Sequence, residues 1–205
     1  FVAALEERLA TGVRVVLILD AIGSFGLRSE TISELRAKGA EVLFFSYWLT
    51  RTHRKILIID EHIVFLGGVN ISGRFSKWKD LHVRLTGKHI AGSALRSFAR
   101  VYRKCGGKDT HLLTLPSPRV WSRTRMWFQE HGLDRGHRSL RAHYKKTIDQ
   151  ATQTITITTP YLLPRRWLIA HLHAAILRGV KVTIMIPIET DHRIFDRINA
   201  YYTTL

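Results

Sequence analysis

Apolar and polar positions follow two different periods along the first 45 residues. Apolar side chains recur every three or four positions up to Gly12, which predicts a helix that ends at that glycine. A nearly unbroken apolar run follows over 13–19, as is typical of a strand buried on both faces. Thr31 and Glu34 have the spacing of a capping box at the start of a second helix. In chain order the pattern predicts a helix (1–10), a strand (13–19), a helix (31–38) and a strand (41–45).

Two short apolar runs, Ile56–Ile59 and Ile63–Leu66, flank the polar residues 60–62. This arrangement predicts two strands joined by a tight turn. Helices that alternate with strands indicate an α/β protein, here with a mixed β-sheet flanked by helices. Beyond the hairpin, the same criteria predict a strand (80–85), a helix (88–104), a helix (140–151), a strand (154–159), a helix (164–177), a strand (180–186) and a helix (192–202).

The order of elements indicates two related units. Leu9–Val15 and Ile176–Val182 both show a helix end, a glycine and a Val-basic-Val strand start. We therefore predict one nearly complete unit over 1–108, an irregular linker over 109–138, and the opening part of a second unit over 139–205. The linker places aromatic residues among arginines, which fits either a membrane-interface segment or packing at the junction of the units.

The composition limits the classes of binding partner but does not identify one of them. The 205 residues are 45% hydrophobic, enough to bury a core, and carry a formal net charge of +16. That charge favours nucleic acid, acidic phospholipid surfaces or phosphate esters. The single cysteine, Cys105, cannot form an internal disulfide, and no apolar run is as long as a membrane span.

The residues that are candidates for catalysis lie close to the predicted hairpin in sequence. His53 and Lys55 lie two positions apart before its first strand, so their side chains share one face. Gly67 and Gly68 end the second strand, where bare backbone can approach a ligand, and Asn70 follows. A neutral imidazole can attack phosphorus, while an ammonium and a carboxamide stabilise charge on the non-bridging oxygens without a metal. The alternative is a basic edge hairpin with a chance histidine.

The spacing H-x-K-x4-D, followed by G-G-x-N, resembles the signature of the phospholipase D superfamily. Asp60 supplies its acidic position, although Asp60 also fits a role in holding the turn through hydrogen bonds to the backbone. The resemblance implies the phospholipase D-like fold, a nucleophilic His53, and a downstream acidic residue, here Asp80, that orients His53. It implies a site with His53, Lys55, Asp60 and Asp80 as catalytic residues and Gly68 and Asn70 as phosphate-binding residues.

Further residues are candidates for the wall of the pocket. Trp78 and His82 flank Asp80, and strand alternation puts His82 on the same face as Asp80. His192 and the loop 20–29 each follow a predicted strand, where loops of open α/β sheets line the ligand crevice. Each of these histidines equally fits packing or an exposed loop. The histidines show no metal-ligand spacing with cysteine or acidic partners, so we predict neither a metal nor another cofactor.

Within the superfamily the chain is most similar to bacterial cardiolipin synthases, in the blocks GVRVVLILDAIGS, HRKILIIDEHIVFLGGVNIS, WKDLHVRLTG, ITTPYLLP and RGVKVTIMIPIETDH. This resemblance implies a phosphatidyltransferase that joins two phosphatidylglycerol molecules through a phosphohistidine. It also implies a peripheral position on the cytoplasmic face of the cell membrane, with anionic phospholipid as the partner. Two alternatives stay open: a phosphodiesterase that acts on nucleic acid, and a module that binds anionic membranes without turnover.

Members of the superfamily pair two units, and each unit gives one such motif to a shared site. One histidine attacks phosphorus and the other protonates the leaving alcohol. This sequence holds one H-x-K-x4-D motif, with His53. We therefore expect the 205 residues alone to be inactive, and further sequence of the same protein, rather than a homodimer, to supply the second motif.

Overall fold

The computed structural model of the protein describes residues 1–46, 52–71, 73, 78–116 and 139–203. The chain divides into two compact units, Phe1–Phe128 and Gln129–Leu205. The first unit contains α1 (Val2–Ala10), β1 (Val16–Asp20), α2 (Ser29–Ala37), β2 (Glu41–Phe45), β3 (Ile56–Ile59), β4 (Ile63–Gly67), β5 (His82–Thr86), α3 (Lys88–Lys104) and α4 (Thr110–Thr114). The second contains α5 (Ser139–Gln150), β6 (Thr154–Thr158), α6 (Arg166–Leu177), β7 (Lys181–Met185) and α7 (Arg193–Thr203). Strands flanked by helices in both units confirm the predicted α/β class.

The described strands of the first unit form two sheets. β1 and β2 pair in parallel, and Asp20 lies opposite Phe45 at their carboxyl ends. β3, β4 and β5 form an antiparallel sheet with β4 in the centre. Ile59 pairs with Ile63 across the turn, so the predicted hairpin is confirmed. Every strand that carries a candidate site residue therefore belongs to one of these two small sheets.

One helix, α3, packs on strands of both sheets. Its Leu95, Ala99 and Tyr102 are buried, together with Leu112 of α4, against apolar residues of β1, β2 and β3. Ala91 and Ala94 of the same helix are fully buried against β3 and β4. Burying a large apolar side chain contributes roughly 1.5–3 kcal/mol, so this shared core supplies much of the attraction that holds the two sheets together.

The phenol of Tyr102 adds a polar connection to that core. The ring is fully buried, and its hydroxyl donates to the carboxylate of Glu41 on β2 at 2.7 Å. The same oxygen accepts the backbone N–H of Asp109, the residue that caps α4. Burial, with the hydrogen bond to Glu41, raises the pKa of Tyr102 to about 12. A single side chain thus joins β2, α3 and α4.

Four details of the first unit differ from the pattern read from the sequence. α2 begins at Ser29 after Arg28, without a side-chain cap, so the capping box at Thr31 is wrong. The helix begins two residues earlier than predicted, and its Ile32 packs against the core of β1 and β2. β1 is half-buried along its length rather than buried on both faces. The predicted linker 109–138 opens with the short helix α4, and residues 117–138 lie outside the described ranges. The fourth difference concerns Asp80, which precedes β5 instead of starting it.

The second unit pairs β6 and β7 in parallel beneath α5 and α6. Its core is built on Ile148, Leu172, Ala175 and Val180, all buried. β7 itself is mostly exposed, in contrast to the buried strand predicted over 180–186, because only Val182 packs against this core. The apolar composition of a strand therefore does not by itself determine how deeply it is buried.

The helices α1 and α6 end in the same turn. Gly12 and Gly179 both adopt the left-handed conformation, with φ of 81° and 86°. In each case the glycine and the valine after it donate backbone hydrogen bonds to the last turn of the helix, as in a Schellman motif. A side chain at this φ would be strained, which explains the glycine in both predicted repeats. No helix in the described ranges is long and apolar enough to cross a membrane.

We predict that Tyr102→Phe lowers the free energy of unfolding by about 2 kcal/mol, because it leaves the Glu41 carboxylate and the Asp109 N–H without their buried partner. Chemical denaturation followed by circular dichroism measures this. Below pH 10 the contribution of Tyr102 is fully present, and it is lost as the pH rises towards 12, since the folded state holds the phenolic proton more tightly than the unfolded state. Tyr144→Phe is the control, on a ring that is half exposed. Equal stability of the two variants would contradict the role of Tyr102.

Candidate active site

The hairpin of β3 and β4 turns tightly at Asp60 and Glu61. Both residues have φ of 51°, the conformation that a type I′ hairpin turn requires at its two central positions. The N–H of His62 closes the turn by donating to the carbonyl of Ile59 at 3.1 Å. Asp60 therefore belongs to the turn, as the predicted role of Asp60 in holding the turn requires. Its part in catalysis, and its predicted side-chain hydrogen bonds, stay predictions.

The segment 52–55, which carries the candidate nucleophile, is attached at two points. The N–H of Thr52 donates to Oδ2 of Asp20 at 2.7 Å, at the carboxyl end of β1. Arg54 donates from Nη1 to Oγ of Ser97 at 2.8 Å, and Ser97 is a fully buried residue of α3. His53 lies between these two attachments with an exposed side chain. The residue between His53 and Lys55 thus holds the segment against the helix, in keeping with the predicted alternation of faces.

Lys55 is the cation of the site. It is half-buried, and its Nζ donates to the backbone carbonyl of His53 at 3.1 Å. Burial lowers the pKa of Lys55, while the carboxylates of Asp80 and Asp20 oppose that shift. Partial desolvation strengthens the attraction of an ammonium for a phosphate oxygen, because water screens the charge less.

The glycine pair lets two side chains pack directly on the backbone. A Cβ on Gly68 would overlap the carboxylate of Asp80, with only 2.8 Å to its Cγ. A Cβ on Gly67 would lie 2.7 Å from Cα of His82. Both distances are far shorter than the normal contact between carbon atoms. The two glycines are therefore required so that Asp80 and His82 can approach β4.

Asp80 precedes β5 because its carboxylate bonds locally. Oδ1 accepts the N–H of Leu81 at 2.7 Å, and the carbonyl of Leu81 accepts the N–H of Gly68 at 3.1 Å. An aspartate that bonds to its own neighbouring backbone competes with regular strand pairing. Asp80 therefore lies outside β5, and the face that it was expected to share with His82 stays a prediction. Both side chains nevertheless meet the glycine pair.

A small pocket opens beside this contact. It is lined by Gly68, Val69, Asn70, Trp78 and Asp80. The lining combines backbone, a carboxamide, an indole and a carboxylate, and Lys55 is close enough for its charge to interact with that of Asp80. Such a mixture of a few polar groups with an aromatic wall is common in sites for small charged groups.

The structure brings together most of the residues predicted for the site. Lys55 and Asp80 lie near one another, Asp80 and His82 pack on the glycine pair, and Asn70 and Trp78 complete the pocket. The predicted contact between Asp80 and His53 stays a prediction. In the parts of the chain that are described, no group of three or more His, Cys, Asp or Glu side chains could hold a metal ion.

His192 belongs to the second unit. It follows β7 at the start of α7, and its Nε2 lies 3.5 Å from Asp191 Oδ2. Its ring contacts Phe195, and its backbone bonds to Thr190. These contacts of His192 are all with residues close to it in sequence. Its predicted place in a pocket stays a prediction.

Sequence reasoning missed Asp20, Arg54 and Ser97. Asp20 could have been identified from the sequence, since it is the last residue of a strand whose following loop was expected to line the crevice. Arg54 could also have been identified, because strand alternation points its side chain away from His53 and towards a helix packed on the other face. Nothing in the sequence around Ser97 marks it as the partner.

Comparison with known proteins identifies the family of the chain. The family described as "Cardiolipin synthase, PLD-like domain" matches residues 1–102 and 144–205. The chain is 30% identical to cardiolipin synthase A of Pseudomonas fluorescens (strain SBW25), over 98% of this chain and 45% of that protein. It is 31% identical to the major cardiolipin synthase of Bacillus subtilis (strain 168), again over 98% of this chain and 45% of that protein. The chain thus spans about half the length of the curated relatives that it matches.

A solved structure supports the fold independently. The polyphosphate kinase from Porphyromonas gingivalis superposes with a TM-score of 0.54 at 13% identity, over 90% of this chain and 28% of the kinase. At that identity the likeness concerns the fold alone. The family match covers most of the chain and includes both the hairpin and the glycine pair. The chain therefore belongs to the phospholipase D superfamily, in its cardiolipin synthase-like family.

Proposed function

We propose that the protein is a phosphatidyltransferase of the cardiolipin synthase type. The observation that carries the proposal is the pocket of Gly68, Asn70 and Asp80 beside Lys55, built on the H-x-K-x4-D hairpin of a cardiolipin synthase-like chain. A ring nitrogen of His53 attacks phosphorus of one phosphatidylglycerol. An N–P bond forms, the P–O bond to glycerol breaks, and the leaving oxygen takes a proton. The hydroxyl of a second phosphatidylglycerol then attacks phosphorus, loses its proton and displaces His53.

Lys55 and Asn70 stabilise the charge that develops on the phosphoryl oxygens. The Lys55 ammonium is partly desolvated and held next to the backbone of His53, so it needs little rearrangement as the reaction proceeds. Asp80 orients the His53 imidazole, which keeps one nitrogen free to attack and stabilises the imidazolium in the intermediate. The supporting observation is the close approach of the Asp80 carboxylate to Gly68.

The second proton-transfer group comes from a second motif of the same kind. This sequence holds one such motif, and proton transfer by a general acid is worth roughly 100- to 10,000-fold in rate. We therefore propose that turnover requires a histidine outside these 205 residues, supplied by the same protein rather than by a homodimer. Anionic phospholipid at the cytoplasmic membrane surface is the proposed partner, in line with the net charge of +16.

The rival function is phosphodiester cleavage in nucleic acid, which rests on the same net charge and the same nucleophile. A third candidate is a module that binds anionic membranes without turnover. The family match with cardiolipin synthases favours lipid headgroup transfer over both. The three functions differ in whether a covalent lipid adduct forms and in whether DNA is nicked.

We expect an acid-labile phosphohistidine adduct when the full-length protein, with the proposed second motif, is incubated with phosphatidylglycerol and quenched at alkaline pH. His53→Asn keeps much of the shape and lacks the nucleophile, so the adduct should vanish and transfer should fall on the order of 10,000-fold or more. Mass spectrometry of the peptide that contains His53 detects the adduct. His62→Asn, at an exposed position in the turn of the same hairpin, is the control and should react like the wild type. Transfer that survives His53→Asn would remove His53 from the mechanism.

Gly68→Ala should reduce transfer by about 100-fold, because the new methyl group displaces the Asp80 carboxylate and misplaces the group that orients His53. The stability of the fold should change little, since the exposed Asp80 side chain can rotate away. Initial rates together with chemical denaturation separate these effects. The matched control is Gly73→Ala, where a Cβ meets nothing within 4 Å. Equal rates for the two variants would exclude the proposed role of the Gly68–Asp80 contact.

We expect the protein to bind vesicles of phosphatidylglycerol and phosphatidylcholine but not vesicles of phosphatidylcholine alone. Binding should weaken as salt rises from about 0.1 M to 1 M, because the screening length falls from about 10 Å to about 3 Å. Cosedimentation measures this, and a plasmid-nicking assay run in parallel tests the rival. Equal binding to both vesicle types, or nicking without lipid transfer, would argue against the membrane substrate.

A further inference from the structure

Asp20 holds together three parts of the chain at the edge of the β1–β2 sheet. Its Oδ1 accepts the N–H of Gly23 at 2.6 Å, and its Oδ2 accepts the N–H of Thr52 at 2.7 Å. The backbone of Asp20 is held by the sheet, since Asp20 is paired with Phe45 and the next residue donates from its N–H to the Phe45 carbonyl at 3.1 Å. Both of its oxygens therefore bond to backbone that lies outside regular structure.

The contact with Thr52 is important because Thr52 directly precedes His53. Arg54 is fixed to Ser97 on the other side, so His53 lies between two attachments that belong to different parts of the fold. Hydrogen bonds from backbone N–H groups to a carboxylate are short and about twice as strong as neutral ones. The position of the His53 backbone thus depends on the carboxyl end of β1.

We propose that Asp20 is a positioning residue of the active site, which fixes the segment of His53 and Lys55 to the end of β1. This inference rests on the proposed function for its catalytic meaning, whereas the contacts themselves can be tested without it. Asp20 acts through Thr52 and through its charge and does not itself touch the reacting phosphorus. It lies outside the H-x-K-x4-D motif.

The charge of Asp20 gives it a second effect on the same site. Burial favours the neutral form of Lys55, and the carboxylates of Asp80 and Asp20 favour its ammonium form. Lys55 must carry a proton to stabilise phosphoryl oxygens. Loss of the Asp20 charge therefore lowers the pH above which Lys55 becomes neutral. A purely structural attachment would have no such effect on the pH profile.

Asp20→Asn tests both effects of Asp20 with a minimal change of shape. A carboxamide offers one acceptor oxygen, and its NH2 group would face one of the two backbone N–H donors. One attachment is therefore lost, together with the negative charge. Asp109→Asn is the matched control in the same unit, because Asp109 also accepts a backbone N–H, from Leu112 at 3.0 Å at the start of α4.

The first measurement is the exchange of the Thr52 and Gly23 amide protons with solvent deuterium, followed by NMR. Both amides should be protected from exchange, because each donates to one oxygen of Asp20. In Asp20→Asn at least one of the two should lose its protection, and in Asp109→Asn both should keep it. Wild-type protein in which either amide is unprotected would overturn the inference, whatever its enzymatic activity.

The second measurement is the pH dependence of phosphatidyl transfer by the full-length protein that carries both motifs. Asp20→Asn should lower kcat by about 100-fold, the order that follows from a misplacement of about 1 Å at the reacting centre. The decline of activity at alkaline pH should also move to lower pH. Wild-type kcat with an unshifted alkaline limb in Asp20→Asn would overturn the inference. If the wild-type protein that carries both motifs shows no transfer, the proposed function fails, and the amide exchange alone decides whether Asp20 holds the segment.

Discussion

The buried face of α3 is the constraint on which the first unit depends. Two small sheets with different strand directions pack on this helix, and its small residues Ala91, Ala94 and Ala99 are buried without any exposed surface. Short side chains let the backbones of helix and strands approach closely, which increases the area of contact. The candidate site draws Asp20 from one sheet and Gly68 from the other. Because the same helix packs on both sheets, their relative position, and hence the site, depends on α3.

Local patterns were sufficient to predict most elements of the fold. The hairpin of β3 and β4 and the helix α3 were located within a residue of their observed ends, because turn residues and apolar periodicity are local signals. The motif residues were likewise apparent from spacing. Burial was predicted less well, as β1 and β7 show, because the exposure of a strand is set by what packs on it and not by its own composition.

The connections within the site could not be predicted in the same way. The contact of Thr52 with Asp20 joins residues far apart in sequence, and so does the contact of Arg54 with Ser97. Neither pair follows from a period or a cap, since each depends on how two sheets and a helix pack in three dimensions. The position of Asp80 before β5 has a local cause, in contrast to these long-range contacts. A local side-chain hydrogen bond to Leu81 outweighed the strand pattern that surrounds it.

The turn that ends a helix at Gly12 and Gly179, and that Gly39 makes at the end of α2, has a consequence for how such a protein can arise. Each turn is closed by hydrogen bonds between a helix end and the two residues after it, and a Cβ at any of these glycines would meet nothing within 4 Å. The turn therefore needs no partner elsewhere in the fold. A gene segment that encodes the helix, the glycine and the strand therefore determines the geometry of this turn by itself. Such a segment can be duplicated and then diverge, while the direction in which the strand leaves the helix is inherited unchanged.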